Sequence, residues 1–356
     1  MSNDENENQV ETKSGPESGP KSGPVLGVGC DLGTMNIVAA RRTTEGVITN
    51  RIRDAFLDLP EEHRKMLKLT GVNYVSTDDG LVIVGDAAYD MANMFSREVR
   101  RPLQSGLIAA GEVDALEILG ILVKHVLGDP KVENEVCYFS VPAAPVDDPD
   151  RDVIYHRGVL ERIVTECGYK AYPSNEALAI IYSECAKDGF SGIAFSFGSG
   201  MTNVALAMGT IEGLSFSVAR GGDWIDHGAA KSTGSTQARM CSLKEKGLNL
   251  IDPKSRDEEA LIVYYKSLIE YAIDNVASEF MKIKGKFSLP KPIPIVVSGG
   301  TSKAEGFLEF FKQVFKDKQK KFPIEISEIR AAKEPLDAVA RGLLVQAMQE
   351  YVEDDE

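Results

Sequence analysis

Three glycine-rich turns carry residues that could grip a phosphorylated ligand: Asp31-Leu32-Gly33-Thr34, Gly198-Ser199-Gly200-Met201-Thr202 and Gly299-Gly300-Thr301. A turn of this kind leaves consecutive backbone N–H groups unpaired and unobstructed by side chains, so they can converge on phosphate oxygens. One such turn is usually an ordinary hairpin, but three at strand ends point to a nucleotide cleft. His63, His125, His156 and His227 have no spacing to one another or to cysteines that would build a metal site.

Each turn needs strands to hold it. Pro24-Val25-Leu26-Gly27-Val28-Gly29-Cys30-Asp31 reads as a buried strand, and Ile37-Val38-Ala39-Ala40 resumes strand character after the turn, which makes a hairpin. A second copy runs from Gly192 to Met208, with Ile193-Ala194-Phe195-Ser196-Phe197 before the turn and Val204-Ala205-Leu206-Ala207 after it. Two such hairpins half a chain apart imply an internal duplication, with two similar halves facing across a cleft. Between them the pattern predicts strands over Leu81–Gly85 and Glu135–Val141, and helices over Val113–Leu127, Ile154–Cys167 and Asn175–Ala186. After Asn203 it predicts strands over Ile211–Ala219 and Ile293–Ser298, helices over Thr236–Lys246 and Glu258–Ile283, and a helix beginning after Gly306. A last apolar-periodic run reaches Met348, with Pro335 in its first turn. Alternating strands and helices place the chain in the α/β class, with mixed or parallel sheets.

The chain has 356 residues, 43% apolar and 26% charged, the composition of a globular protein of two domains or one large one. Its apolar stretches, such as Ala177–Tyr182, fall far short of the roughly 20 residues of a membrane span. The start, MSNDENENQVET, lacks the basic and apolar regions of a signal peptide, so a cytoplasmic location is expected. A net charge of -14 argues against nucleic acid as a partner. Half of that excess lies in residues 1–24 and in Glu353-Asp354-Asp355-Glu356. The Ser-Gly-Pro triplets at 14, 18 and 22 predict a disordered tail over residues 1–24. Cys30, Cys137, Cys167, Cys185 and Cys241 lack C-x-x-C spacing and are expected to be reduced and buried.

The stretch GVGCDLGTMNIVAA resembles the first phosphate loop of the superfamily that contains actin, the bacterial filament proteins MreB and MamK, the ATPase domain of heat-shock chaperones and the sugar kinases. IAFSFGSGMTNVALA resembles its second phosphate loop, VVSGGTSKAEGF its adenosine loop and EPLDAVARGLLVQA the helix that closes the fold. The matches keep the family's order from residue 25 to about 350. VIVGDAAYDM, RRPLQSGLIAAGEVDALEIL and VCYFSVPAAP are similar to the MreB and MamK pattern. The resemblance implies a two-domain actin-like (ribonuclease H-like) ATPase fold with a nucleotide cleft between the domains and a reduced outer subdomain in the second half. Domain I would comprise residues 25–184 plus 334–351 and domain II residues 185–333, with acidic tails at 1–24 and 352–356.

The resemblance also assigns roles, with ATP and Mg2+ as the ligands. Asp31 would face Mg2+ through water. Gly33, Thr34, Met35 and Asn36 would present amides and a hydroxyl to the β- and γ-phosphates, and Gly198, Ser199, Gly200 and Met201 would do so from the other side. Glu176, in YPSNEALAIIYSE, aligns with the residue that orients the attacking water. Lys244 and Glu245 match the pair placed against base and ribose. Gly299, Gly300 and Thr301 form the adenosine turn, and Lys303 takes the place of a base-stacking cation. Plainer readings stand beside these: a turn-capping aspartate for Asp31, a first-turn glutamate favoured by the helix dipole for Glu176, and a solvated helix face for Lys244 and Glu245.

Two positions depart from the family. Ser196 stands where the second loop normally begins with aspartate, and Asn203 where relatives carry aspartate, glutamate or histidine. Neither supplies negative charge for a divalent ion, so nucleotide binding is expected more firmly than rapid hydrolysis. Tyr89 replaces a lysine usual in chaperones and MreB. The chain is also short between Asp226 and Lys244 and between Leu250 and Glu258, so polymerisation either fails or uses a modified interface. GDPKVENE, from Gly128, lacks the apolar pair that inserts in membranes, so no direct membrane insertion is expected. The resulting expectation is a slow ATPase that self-associates into cytoskeletal filaments, with a protein adaptor as a further partner. The alternatives are a monomeric chaperone-type ATPase and a degenerate binding module without appreciable hydrolysis.

Overall fold

Two hairpins of the same build organise the molecule. The computed structural model describes residues 25–77, 80–95, 97–112, 114–283, 285 and 291–352. The tail over 1–24, the final acidic residues and Val113 therefore lie outside the described residues.

The first half contains β1 (Val28–Leu32), β2 (Asn36–Thr43), β3 (Gly46–Arg53), β4 (Phe56–Leu59), α1 (Arg64–Thr70), β5 (Val75–Thr77), β6 (Gly80–Val84), α2 (Asp86–Phe95), β7 (Leu103–Gln104), β8 (Leu107–Ile108), α3 (Ala115–Leu127), β9 (Val136–Val141), α4 (Val153–Glu166), β10 (Lys170–Asn175) and α5 (Glu176–Glu184). The second contains β11 (Gly192–Phe197), β12 (Thr202–Met208), β13 (Ile211–Val218), α6 (Gly222–Thr233), α7 (Gln237–Glu245), α8 (Arg256–Ile283), β14 (Ile293–Ser298), α9 (Phe307–Lys318), β15 (Ile326–Ala331) and then α10 (Ala338–Gln349).

The sheets run β10-β9-β1-β2-β3 and β13-β12-β11-β14-β15. In each, three antiparallel strands are followed by two added in parallel, so the topologies are identical. The registers agree as well: Asp31 lies opposite Val38 in the first hairpin, and Ser196 lies opposite Asn203 in the second. Ser196 is thus the positional counterpart of Asp31.

Strand alternation puts these two residues on inner faces. On β11, Phe195 and Phe197 point into a core with Phe307 and Phe311, Phe195 meeting Phe311 edge-on at 5.5 Å and Phe197 meeting Phe307 at 5.2 Å. Ala194, on the opposite face, packs with Ala177 and Ile180 of α5 and with Leu343 of α10. On β1, Val28, Cys30 and Leu32 enter a core with Leu119 and Val123 of α3 and Leu160 of α4. Helices α5 and α10 therefore fill the space between the sheets, and their contact is close. A Cβ on Gly342 would lie 1.7 Å from Ala179 O, and one on Gly29 would lie 2.1 Å from Ala340 O.

The outer parts of the halves differ. The first carries a three-stranded sheet, β4-β6-β5, with Leu57, Leu67, Leu81 and Ile83 in its own small core. The second carries helix α7 and the segment 246–255, without strands, in the reduced form the resemblance implies.

Some expectations change in detail. Pro335 lies in a turn ahead of α10 rather than within it, and Glu334 O there accepts from Asp337 N and Ala338 N, both at 2.9 Å. All five cysteines are free, but only Cys30, Cys137 and Cys185 are buried, while Cys167 and Cys241 are partly exposed. Among the described residues no helix is long and apolar enough to cross a membrane.

Candidate functional site

The two hairpin turns close in the same way and face each other. Gly33 N donates to Asn36 O at 3.1 Å, and Gly198 N donates to Met201 O at 3.0 Å. A Cβ on Gly33 would stand 2.8 Å from that acceptor, and one on Gly198 2.9 Å from its own, so both turns need glycine at the first position. Among the described residues the N–H groups of Thr34, Met35, Ser199 and Gly200 donate to no protein acceptor, the arrangement that suits an anion.

The second turn is anchored from behind. Gly198 O accepts from Gly222 N at 3.0 Å and from Thr301 Oγ1 at 2.9 Å, and Ser199 O accepts from Asp223 N at 2.8 Å. Its tip reaches the first half, where a Cβ on Gly200 would lie 2.1 Å from Gly106 N and 2.8 Å from Thr34 Oγ1. Arg101 and Asp223 form a largely buried ion pair across the same junction, at 2.8 Å. The third turn starts at Gly299, whose φ of +93° and near contact with Phe197 O, 2.4 Å from a built Cβ, exclude other residues. Gly299 N and Ser298 Oγ both donate to Pro335 O, at 3.1 and 3.0 Å.

Beneath the turns stand two carboxyl groups. Asp31 accepts from Ser140 Oγ at 2.9 Å. Burial and the negative charge of Asp337 push its pKa up to about 6, against the lowering effect of the Ser140 bond. Glu176 opens α5, where Asn175 caps the helix by accepting from Ala177 N and Leu178 N at 2.9 and 3.0 Å. Asn203 Nδ2 donates to Glu176 Oε2 at 2.9 Å. Burial and the nearby Asp31 push the Glu176 pKa up to about 8, and the Asn203 bond opposes them. Both carboxyls would lose that upward shift next to a cation.

A cleft of about 610 Å3 joins these parts, within the range of small-molecule sites. Every residue to which the resemblance assigns a role lines it: Asp31, Gly33, Thr34, Met35, Asn36, Glu176, Gly198, Ser199, Gly200, Met201, Lys244, Glu245, Gly299, Gly300, Thr301 and Lys303. Lys244 is committed within its own domain, donating from Nζ to Asp226 Oδ2 and to Gly222 O, both at 2.9 Å. Burial pushes the Asp226 pKa up to about 6 even with Lys244 beside it. Glu245 instead crosses the cleft, accepting from Arg53 Nη1 at 3.0 Å.

The donor set suits a hard cation. Asp31 and Glu176 supply carboxylate oxygens and Ser196 a neutral one, while no cluster of three His, Cys, Asp or Glu that could hold a metal occurs among the described residues. That fits Mg2+, which keeps most of its waters and takes one or two carboxylates together with phosphate oxygens.

Sequence reasoning missed Arg51, Arg53, Tyr265 and Glu305, which also line the cleft. Arg51 and Arg53 stand two residues apart on β3 and share a face, but no buried residue gives that strand a pattern to read.

The fold is shared with known proteins. A family profile described as Volactin matches residues 26–347. No curated protein matches the chain. Among solved structures, a double helical filament of MamK is similar at 18% identity, covering 90% of this chain and 98% of the other, with a TM-score of 0.69. MreB 5 of Spiroplasma citri bound to AMPPNP is similar at 16% identity, with coverage of 96% and 100% and a TM-score of 0.64. The ethanolamine utilization protein EutJ from Carboxydothermus hydrogenoformans is similar at 17% identity, with coverage of 93% and 92% and a TM-score of 0.53. At such identities the likeness is one of fold.

Proposed function

The chain belongs to the Volactin family, and from that premise we propose that it is a cytoplasmic, ATP-binding actin-like protein that closes on Mg-ATP and assembles into nucleotide-dependent filaments. The observation that carries this reading is the pair of matching turns, each with two N–H groups free to bind phosphate, on opposite walls of one cleft. A γ-phosphate held by both turns favours the closed form only while it is present, which makes nucleotide state a switch. The solved structures with this fold include a MamK filament and an MreB 5 bound to AMPPNP, in keeping with self-association and nucleotide binding.

In this reading the turns bind and orient the β- and γ-phosphates. Asp31 would hold Mg2+ through water, and the ion would supply charge neutralisation for those phosphates. Glu176 positions the attacking water. Asn203 occupies Oε2, so Oε1 is the oxygen left to accept a hydrogen bond from that water.

A second reading has an observation of its own. Ser196 takes the place that Asp31 holds in the first hairpin, so the second wall brings no carboxylate to the ion. A binding module with little hydrolysis follows if that charge is essential.

Pelleting and phosphate release, measured on one sample with ATP or a non-hydrolysable analogue, separate the readings. Pelleting with either nucleotide supports the filament, and phosphate release alongside it supports slow hydrolysis. Protein that stays soluble in every condition overturns the filament. Turnover without pelleting then favours a monomeric chaperone-type ATPase, and bound nucleotide without turnover favours the binding module.

A further inference from the structure

We propose that Arg53 is a phosphate-binding residue of the cleft, and that its release from Glu245 on nucleotide binding frees that carboxylate for the ribose. The proposal rests on the nucleotide reading of the cleft. Arg53 ends β3 directly opposite Asn36 of the first turn, and its Nη1 lies 3.9 Å from Met35 Sδ in that turn. The guanidinium therefore packs on the Met35 side chain, and it lines the same cleft as Thr34 and Met35. Tyr89, from α2, lies under it, with the guanidinium carbon 4.7 Å from the ring centroid. Tyr89 Oη also donates to Met35 Sδ at 3.4 Å, so ring, turn and guanidinium form one packed group.

Its present partners are replaceable. Arg53 pairs with Asp86 and with Glu245, each at 3.0 Å, but the side chains of those acids are 74% and 46% exposed. Ion pairs this exposed are weak, because water screens them. The other cations lining the cleft are placed differently. Arg51 is paired with Asp337, Lys244 is buried against Asp226, and Lys303 lies on the third turn. Arg53 is thus the lining cation that borders the first turn and has solvent-exposed partners. A terminal phosphate group carries more negative charge than the Glu245 carboxylate and accepts a forked pair of N–H bonds, so it competes well for the guanidinium. Because Glu245 lies on the opposite wall, this exchange links the phosphate end of the ligand to its ribose end.

Titration of the full chain with ATP, ADP and adenosine tests the proposal through its dependence on phosphate. Arg53→Gln should weaken ATP by about 10- to 100-fold, the range for a hydrogen bond to a charged group. The same variant should leave adenosine within about threefold or bind it more tightly, since Glu245 is no longer occupied. Arg53→Lys, which keeps the charge, should recover part of the ATP affinity, and its thermal melt guards against a folding defect in the glutamine variant. Equal weakening of ATP and adenosine, or unchanged ATP affinity, overturns the assignment while wild-type binding stands. Wild-type protein that binds none of the three overturns the nucleotide reading, and the assignment with it.

Discussion

Asn203 holds Glu176 by an amide hydrogen, Nδ2 to Oε2 at 2.9 Å, while its own Oδ1 accepts from Ala143 N at 3.0 Å. The second bond decides the first, since an oxygen already taken by a backbone N–H leaves the NH2 to face the carboxylate. Asn203→Asp puts a second carboxylate in that place, and two carboxylates so close share a proton. We expect the variant to destabilise the empty protein by about 1–3 kcal/mol at pH 8 and by less at pH 5.5, where a proton is available. Urea titrations at the two pH values measure this, and equal losses at both would count against the pairing.

Glu176→Gln keeps the shape and the Asn203 contact partner but cannot take a proton from water. Phosphate release should fall by about 100-fold, the lower end for loss of an acid–base group, while ATP affinity changes little. Single-turnover hydrolysis with a parallel binding titration reads both. Matching losses in binding and turnover would make Glu176 a structural residue.

Gly342→Ala places a methyl carbon where Ala179 O already stands, 1.7 Å away. Helices α5 and α10 must then separate, and overpacking of this kind costs about 1–3 kcal/mol or more. A thermal melt should fall by several degrees, and Gly111→Ala, with open space around its Cβ, serves as the control. A stable Gly342→Ala protein would show that the two helices are not closely locked.

His156 is 2% exposed, and among the described residues its Nδ1 has no partner. Burial pushes its pKa down to about 4, below the unfolded value near 6.5. The neutral ring therefore contributes stability above pH 6.5 that is lost as the pH falls toward 4, because only the unfolded chain is then protonated. His156→Leu should flatten the decline in the denaturation midpoint between pH 7 and pH 5. A decline of the same steepness in the variant would place its cause elsewhere.

The parts of the site legible in the sequence are those made by backbone. Gly33, Gly198 and Gly299 announce turns because no side chain fits there, and their strands announce themselves by apolar runs. The elements that went unread are the ones whose patterns are weak. β3 has no buried residue, β10 is a half-buried edge strand containing Pro173, and β15 lacks the alternation of an apolar face. Helix α6 opens on Gly222, a weak helix former, and Thr301 Oγ1 would lie 2.8 Å from a Cβ there. Arg53 was missed because its role comes from Tyr89 and Glu245, which only the fold brings beside it.

Helix α10 lies against β1 and α5, so a contact of the first domain joins nearly opposite ends of the described chain. During synthesis β11 to β15 emerge as one continuous stretch and can pair with one another before α10 is made, although Ala194 and Val296 still await Leu343. The first sheet, although made earlier, has to wait with Gly29 and Ala179 uncovered until residues 338–349 leave the ribosome. Contacts this distant in sequence fold slowly. The half of the molecule translated first therefore cannot finish ahead of the second, and the cleft between the two comes into being only as the helix that covers both sheets docks.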